Sequence, residues 1–162
     1  MKCDNCGAPL RLVAGRDYFC CDYCVTFHYP ADTDESADGV KPLGEQAATN
    51  CPVCHAGLGV GSVEGRHVDY CAKCQGVFVS NDDFAGIVNA RRARHTGPPD
   101  RPVPIDPEQL KRVLRCPACG KRMDAHPYYG PGNVVIDSCG ACRMVWLDRG
   151  EIATIEAAPG ER

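Results

Sequence analysis

The sequence is short of large apolar side chains. It has four Phe and one Trp in 162 residues. A domain of this length that relied on one oily core would need more, so the composition favours several small units held by something else. Long apolar runs are missing as well. None approaches the roughly 18 residues needed to span a bilayer, so no membrane partner is expected. Met1 to Cys6 carries no apolar signal core, so a secretory leader is not expected there. A strong positive charge is also lacking, since the formal net charge is −3. That excludes a general nucleic-acid glue.

Cysteine is what the chain has in quantity: 13 residues, 12 of them in CxxC pairs. Disulfides of a secreted protein fit poorly, because pairs at this spacing suit one metal ion better than two long-range bridges, and the total is odd. A reducing, cytoplasmic compartment follows. Two CxxC pairs supply four soft thiolates, the donor set of a closed tetrahedral site, with Zn2+ as the expected ion. Three such sites are spelled out: Cys3, Cys6, Cys21 and Cys24; Cys51, Cys54, Cys71 and Cys74; Cys116, Cys119, Cys139 and Cys142. Four thiolates and one divalent ion leave −2 per site, which lowers the net charge to about −9 with three ions bound.

Five segments are expected. Residues 1–29 hold the first unit, with short strands hinged at Gly15-Arg16. Residues 30–50 carry five acids, one Lys and almost no large apolar residue, and read as a flexible acidic linker. Residues 51–94 hold the second unit. Its hairpin turns near Glu64-Gly65, its strand is Val77-Phe78-Val79, and Ser80 with Asp83 opens a helix in capping-box fashion. Residues 95–115 contain five prolines and four Lys or Arg and read as a Pro-rich basic spacer with a short helix started by Asp106-Pro107. Residues 116–158 hold the third unit, whose terminal helix is opened by Asp148-Arg-Gly-Glu151.

The second and third units repeat one another. Val77-Phe78-Val79 matches Val145-Trp146-Leu147, Ser80 to Asp83 matches Asp148 to Glu151, and Ile87 matches Ile155. A shared aromatic between knuckle and helix reads as packing, not as a platform for stacking a base. Cys20, the odd cysteine, reads as a small apolar strand residue. The five histidines are not needed as ligands.

The third unit resembles the zinc-ribbon family named after the zinc finger of transcription factor IIB. Cys116, Pro117, Cys119, Gly120, Ile136, Asp137, Cys139, Cys142 and the run Val145 to Glu151 carry the resemblance. The second unit is similar but degenerate, with His55 in the knuckle Gly position, and the first is a generic ribbon. The resemblance implies zinc and a three-stranded sheet. The expected fold is therefore a small metal-stabilised β-rich protein of three zinc ribbons, the second and third each followed by a short helix.

For function, four thiolates per site leave no open metal position, and no nucleophile–base pair stands out at motif spacing, so no enzyme and no small-molecule substrate are expected. A binding adaptor is expected, with an unknown macromolecule as partner, protein before nucleic acid, and a link to transcription as one form of it. From Arg91 to Arg122 there are nine Lys or Arg and three acids, a local +6 in an acidic chain. Candidate partner-binding residues are Arg91, Arg92, Arg94, Lys111, Arg112 and Arg115, with Tyr128 and Tyr129 in the third hairpin loop. The alternatives are a rubredoxin-like iron protein and a zinc-buffering or chaperone-like protein.

Overall fold

A computed structural model of the chain describes residues 1–3, 6–12, 19–23, 27–28 and 36–160. The first strands, β1 (Arg11–Leu12), β2 (Phe19–Cys20) and β3 (Phe27–His28), form a small antiparallel sheet in that order. The expected turn at Gly15-Arg16, the side chain of Cys20, Cys24, and residues 29–35 lie outside the described residues.

A second sheet has seven strands. These are β4 (Lys41–Asn50), β5 (Gly57–Val63), β6 (Arg66–Tyr70), β7 (Val77–Ser80), β8 (Asp124–Pro127), β9 (Val135–Cys139) and β10 (Met144–Leu147). Their order is β4-β5-β6-β7-β10-β9-β8, with every pairing antiparallel. The β5–β6 hairpin turns at Glu64 and Gly65, whose φ values are +52° and +73°. Positive φ at both central residues is the turn whose twist matches the strands it joins.

The two repeats meet at β7 and β10. Phe78 is opposite Trp146, Val79 opposite Val145, and Val77 opposite Leu147. Exchanging the repeats maps this pairing onto itself, so the chain contains a pseudo-two-fold axis at Phe78 and Trp146, a self-complementary contact like that of a symmetric dimer. The second and third units are therefore halves of one sheet, not separate knobs on spacers.

Alternation along the joining strands sorts the core into two layers. Val77, Val79, Val145 and Leu147 join Phe84, Ile87, Ile152 and Ile155 under helices α1 (Asn81–Arg94) and α2 (Glu151–Ala157). Phe78 and Trp146 point the other way, among Leu58, Met123 and the cysteines. Ser80 caps α1, its Oγ accepting from the Asp83 amide at 3.1 Å.

Residues 41–50 overturn the linker reading. They form edge strand β4, paired to β5 with two register shifts. An edge strand can be held by backbone hydrogen bonds while its side chains face water, so β4 keeps the polar composition of a tether. Asp38, just before it, is 1 % exposed. Its carboxylate accepts from the amides of Gly150 (2.7 Å) and Ala153 (3.1 Å) and so caps α2 from more than a hundred residues away. The local cap is incomplete. Gly150 sits at the N-cap with φ +83° and no side chain to offer, while Glu151 Oε2 accepts from the Asp148 amide at 2.8 Å. Asp38→Ala is expected to cost about 1–2 kcal/mol, the usual range for a lost cap, measured by urea unfolding of the metal-loaded protein. A change under about 0.3 kcal/mol would contradict this role.

The Pro-rich segment is extended and docked. The Asp100 amide donates to Ala157 O (2.8 Å), and Asn133 Nδ2 donates to Val103 O (3.2 Å). A single 3-10 turn spans Gln109–Lys111, and Leu114 is buried. Among the described residues, no helix is long and apolar enough to cross a membrane.

Candidate metal centres

Four of the knuckles begin as a tight turn fixed by the backbone. The amides of Cys3, Cys51, Cys71 and Cys116 donate across the turn to Ala8, Ala56, Gly76 and Lys121, at 2.7–2.9 Å. In five knuckles the residue four places after the first cysteine has positive φ: Gly7, His55, Gln75, Gly120 and Arg143. That turn leaves amides free to face sulfur. Val53 and Cys54 donate to Cys51 Sγ, and Cys74 donates to Cys71 Sγ, each at 3.4 Å. His55, Gln75 and Arg143 hold this geometry without being glycine, at roughly 1–2 kcal/mol each. The knuckle therefore does not require the Gly that sequence patterns emphasise.

The sulfurs converge. Cys51, Cys54, Cys71 and Cys74 form one cluster, and Cys116, Cys119, Cys139 and Cys142 another, with all Sγ atoms of a cluster within 4.8 Å of one another. Close pairs are Cys51–Cys74 (3.5 Å), Cys54–Cys71 (3.4 Å) and Cys119–Cys139 (3.6 Å). A zinc–thiolate tetrahedron with bonds near 2.3 Å has edges of about 3.8 Å, so the residues present fit the ion. Cys3, Cys6 and Cys21 form a third cluster. The expected fourth ligand, Cys24, lies outside the described residues.

Crowding separates the thiols of a cluster. Hydrogen bonding with Cys51 holds Cys71 low and pushes Cys74 up, because a thiolate is stabilised by the S–H of its neighbours. The Lys121 amide donating to Cys119 brings its thiol down to about 7. Cys119 is also exposed, unlike the buried Cys116 and Cys139.

Trp146 and Phe78 bind the centres to the sheet. Trp146 is 0 % exposed, and its Nε1 donates to Asp148 Oδ1 at 3.2 Å. Its ring lies against Gly76, just past the second knuckle of the other repeat. A Cβ on Gly76 would come within 2.0 Å of the ring. The aromatic thus packs across the pseudo-axis, against its neighbour's metal centre.

Beside Trp146 sits a buried polar group that sequence reading missed. Asp137, 0 % exposed, is ion-paired with Arg112, which also reaches Asp148 at 2.6 Å. Burial first, and then the Asp148 charge, raise the Glu151 carboxyl to about 9. The native state therefore holds a proton that the unfolded chain releases near its ordinary carboxylate range. That contribution is fully present below the ordinary range and is lost as pH rises through about 9. Glu151→Gln keeps the acceptor without the charge. It is expected to be more stable than wild type at pH 8 by about 1–3 kcal/mol, with the gap closing towards pH 5. A pH-independent gap in thermal unfolding would contradict this.

The proposed partner-binding cations disperse. Arg92 is 5 % exposed, and its guanidinium donates to the Ile155 and Ala158 carbonyls at 2.6 and 3.0 Å, closing the end of α2. Arg91 bonds Glu156 (2.6 Å) and the Asp38 carbonyl. Arg112 is the clamp just described. These three hold the fold, because orphan carbonyls and buried carboxylates need donors, and they are corrected from the binding set. Arg94 is exposed and paired with Glu64, and Lys111 with Glu108 at 2.6 Å. Arg115 is exposed. Tyr128 is also corrected: it packs against the core, 5.3 Å from the Phe84 ring. Tyr129 is 91 % exposed and stacked on His126.

A family described as transcription factor zinc-finger, of the TFIIB zinc-ribbon type, matches residues 50–90 and 115–158. No curated protein and no solved structure matches the chain. The matched segments contain both complete four-cysteine clusters and together exceed half of the sequence. With its duplicated knuckles, convergent thiols and shared sheet, this chain belongs to the TFIIB-type transcription factor zinc-finger family.

Proposed function

We propose that this is a non-catalytic zinc protein with three structural four-cysteine sites, acting in the reducing cytoplasm as an adaptor that presents a rigid surface to a macromolecular partner. One observation carries this reading. In each complete cluster four sulfurs fill the tetrahedron, and both clusters are built into one sheet. A site so filled keeps no open position for water or substrate, and the ion's chemistry there is to bind and orient thiolates. The CxxC spacing makes Cys24 the proposed fourth ligand of the third site.

A protein partner is favoured over nucleic acid. Arg91, Arg92 and Arg112, part of the basic zone, are committed to internal carbonyls and carboxylates. What remains for phosphate is sparse, and phosphate contacts dominate nucleic-acid affinity. A role in transcription would then run through a protein contact.

The test has two arms. Elemental analysis of freshly purified protein is expected to give three zinc ions per chain, and an iron-loaded, visibly coloured protein would replace this reading with an electron carrier. Cross-linking in the native cell is expected to trap a defined protein partner, while labelled single- and double-stranded nucleic acid shows no binding at tens of micromolar in low salt. Rapid surrender of all zinc to a weak chelator, with the fold retained, would favour zinc buffering.

A further inference from the structure

Two exposed arginines face each other at the first knuckle of the third ribbon. Arg115 and Arg122 are antiparallel bridge partners. Such partners project to the same side, with Cβ atoms about 5 Å apart, and like charges there repel. Arg115 donates to the Gly120 carbonyl at 3.3 Å. Among the described residues no carboxylate pairs with Arg115, Arg122 or the intervening Lys121. The repeat supplies an internal control. Asn50 and Gly57 hold the equivalent places in the second ribbon and are register partners there. The ribbon fold therefore does not need cations at these positions.

A groove of about 590 Å³ starts at Arg115. It is walled by matching residues of the two repeats: Ala48 and Val113, Asn50 and Arg115, Pro52 and Pro117. The groove thus straddles the pseudo-two-fold axis, but its charge does not obey the symmetry. The third-ribbon end carries Arg115, while the second-ribbon end offers Asn50, His55 and the exposed aliphatic side chain of Val53. Val113, 52 % exposed, also lines the groove. Among the described residues the lining holds no acid and no Phe, Tyr or Trp. A nucleic-acid base would find a single aromatic ring, the His55 imidazole, and no run of rings to stack on. An extended peptide would find aliphatic contacts and, at one end, Arg115 with its bridge partner Arg122 beside it, neither paired with a carboxylate among the described residues.

We propose that this groove docks an extended acidic peptide segment of a partner protein, with carboxylates on Arg115 and Arg122 and an aliphatic side chain against Val113 and Val53. The inference rests on reading the chain as a protein-binding platform. Charge complementarity sets the direction of the bound segment, because only one end of a nearly symmetric groove carries arginine.

The test uses the full zinc-loaded chain and fluorescence anisotropy at low salt. The probe is a fluorescein-labelled ten-residue peptide of alternating Glu and Leu. A Lys/Leu peptide and a ten-nucleotide single strand are the comparators. The Glu/Leu peptide is expected to bind saturably and to weaken with salt. Arg115→Gln with Arg122→Gln is expected to weaken it at least tenfold, and Val113→Asp several-fold, with zinc content and thermal midpoint unchanged. No saturable binding below a millimolar, equal binding by the double variant, or tighter binding of either comparator would overturn the proposal. So would loss of zinc from the double variant, since the arginines would then serve to neutralise the thiolate centre. A partner cross-linked equally well by wild type and double variant would sink the groove but leave the adaptor reading intact. Failure to trap any partner would sink the adaptor reading itself.

Discussion

Removing the metal from this protein with a strong chelator is expected to abolish its cooperative unfolding transition. Structural zinc contributes on the order of 10–16 kcal/mol per site in small ribbons at neutral pH. The whole net stability of a typical domain is about 5–15 kcal/mol. Losing one of the two sites in the seven-stranded sheet therefore removes as much free energy as the fold has to spare. The layer beneath the sites shows why nothing else compensates. Phe78, Trp146, Leu58 and Met123 pack onto the cysteines themselves. Without the ion, four thiolates crowded within 4.8 Å of one another repel unless protons are taken up. Far-UV circular dichroism and a thermal scan, with zinc released measured in parallel, check this. Retention of the native spectrum and a sharp transition at zero bound metal would refute structural zinc. Cys71→Ser is expected to behave like the chelated protein, and because both repeats share β7–β10 the loss should spread to the third ribbon.

Trp146→Ala is expected to cost about 3–5 kcal/mol, the range for emptying a buried aromatic site. In a chain of this size that lowers the thermal midpoint by roughly 10 °C. The ring is fully buried and lies against Gly76 of the other repeat. Its removal should therefore loosen the second ribbon's centre as well as its own. Faster reaction of Cys54 and Cys74 with a thiol reagent in the variant would report that coupling. Trp146→Phe should cost much less, since Phe78 fills the symmetry-related place with a ring of that size. If Trp146→Ala loosened only the third ribbon, the cross-axis packing would be refuted.

The cysteine frame was readable because metal ligation is local chemistry. A CxxC turn brings two sulfurs together whatever surrounds it, and the repeat of the pattern identified the two sets of four that converge in the seven-stranded sheet. The Ser80 cap of α1 was readable for the same reason, since both partners lie within one turn. The cap of α2 was not. Its donors are at Gly150 and Ala153 and its acceptor at Asp38, in a stretch whose composition reads as a tether. The basic zone misled in the opposite direction. Arg91, Arg92 and Arg112 look like free cations in a list of charges, but their partners Glu156, Ile155, Asp137 and Asp148 come from other elements.

The sequence by itself determined the metal chemistry, the duplication and the alternation that sends Phe78 and Trp146 to the cysteine side, because each depends on spacing along a few residues. Only the tertiary structure decided that the two ribbons share one sheet, that β4 belongs to it, and which arginines remain exposed. Those outcomes depend on which backbone edges pair and which buried carbonyls and carboxylates need a donor. Such pairings form across long separations, and composition and short-range spacing do not encode them.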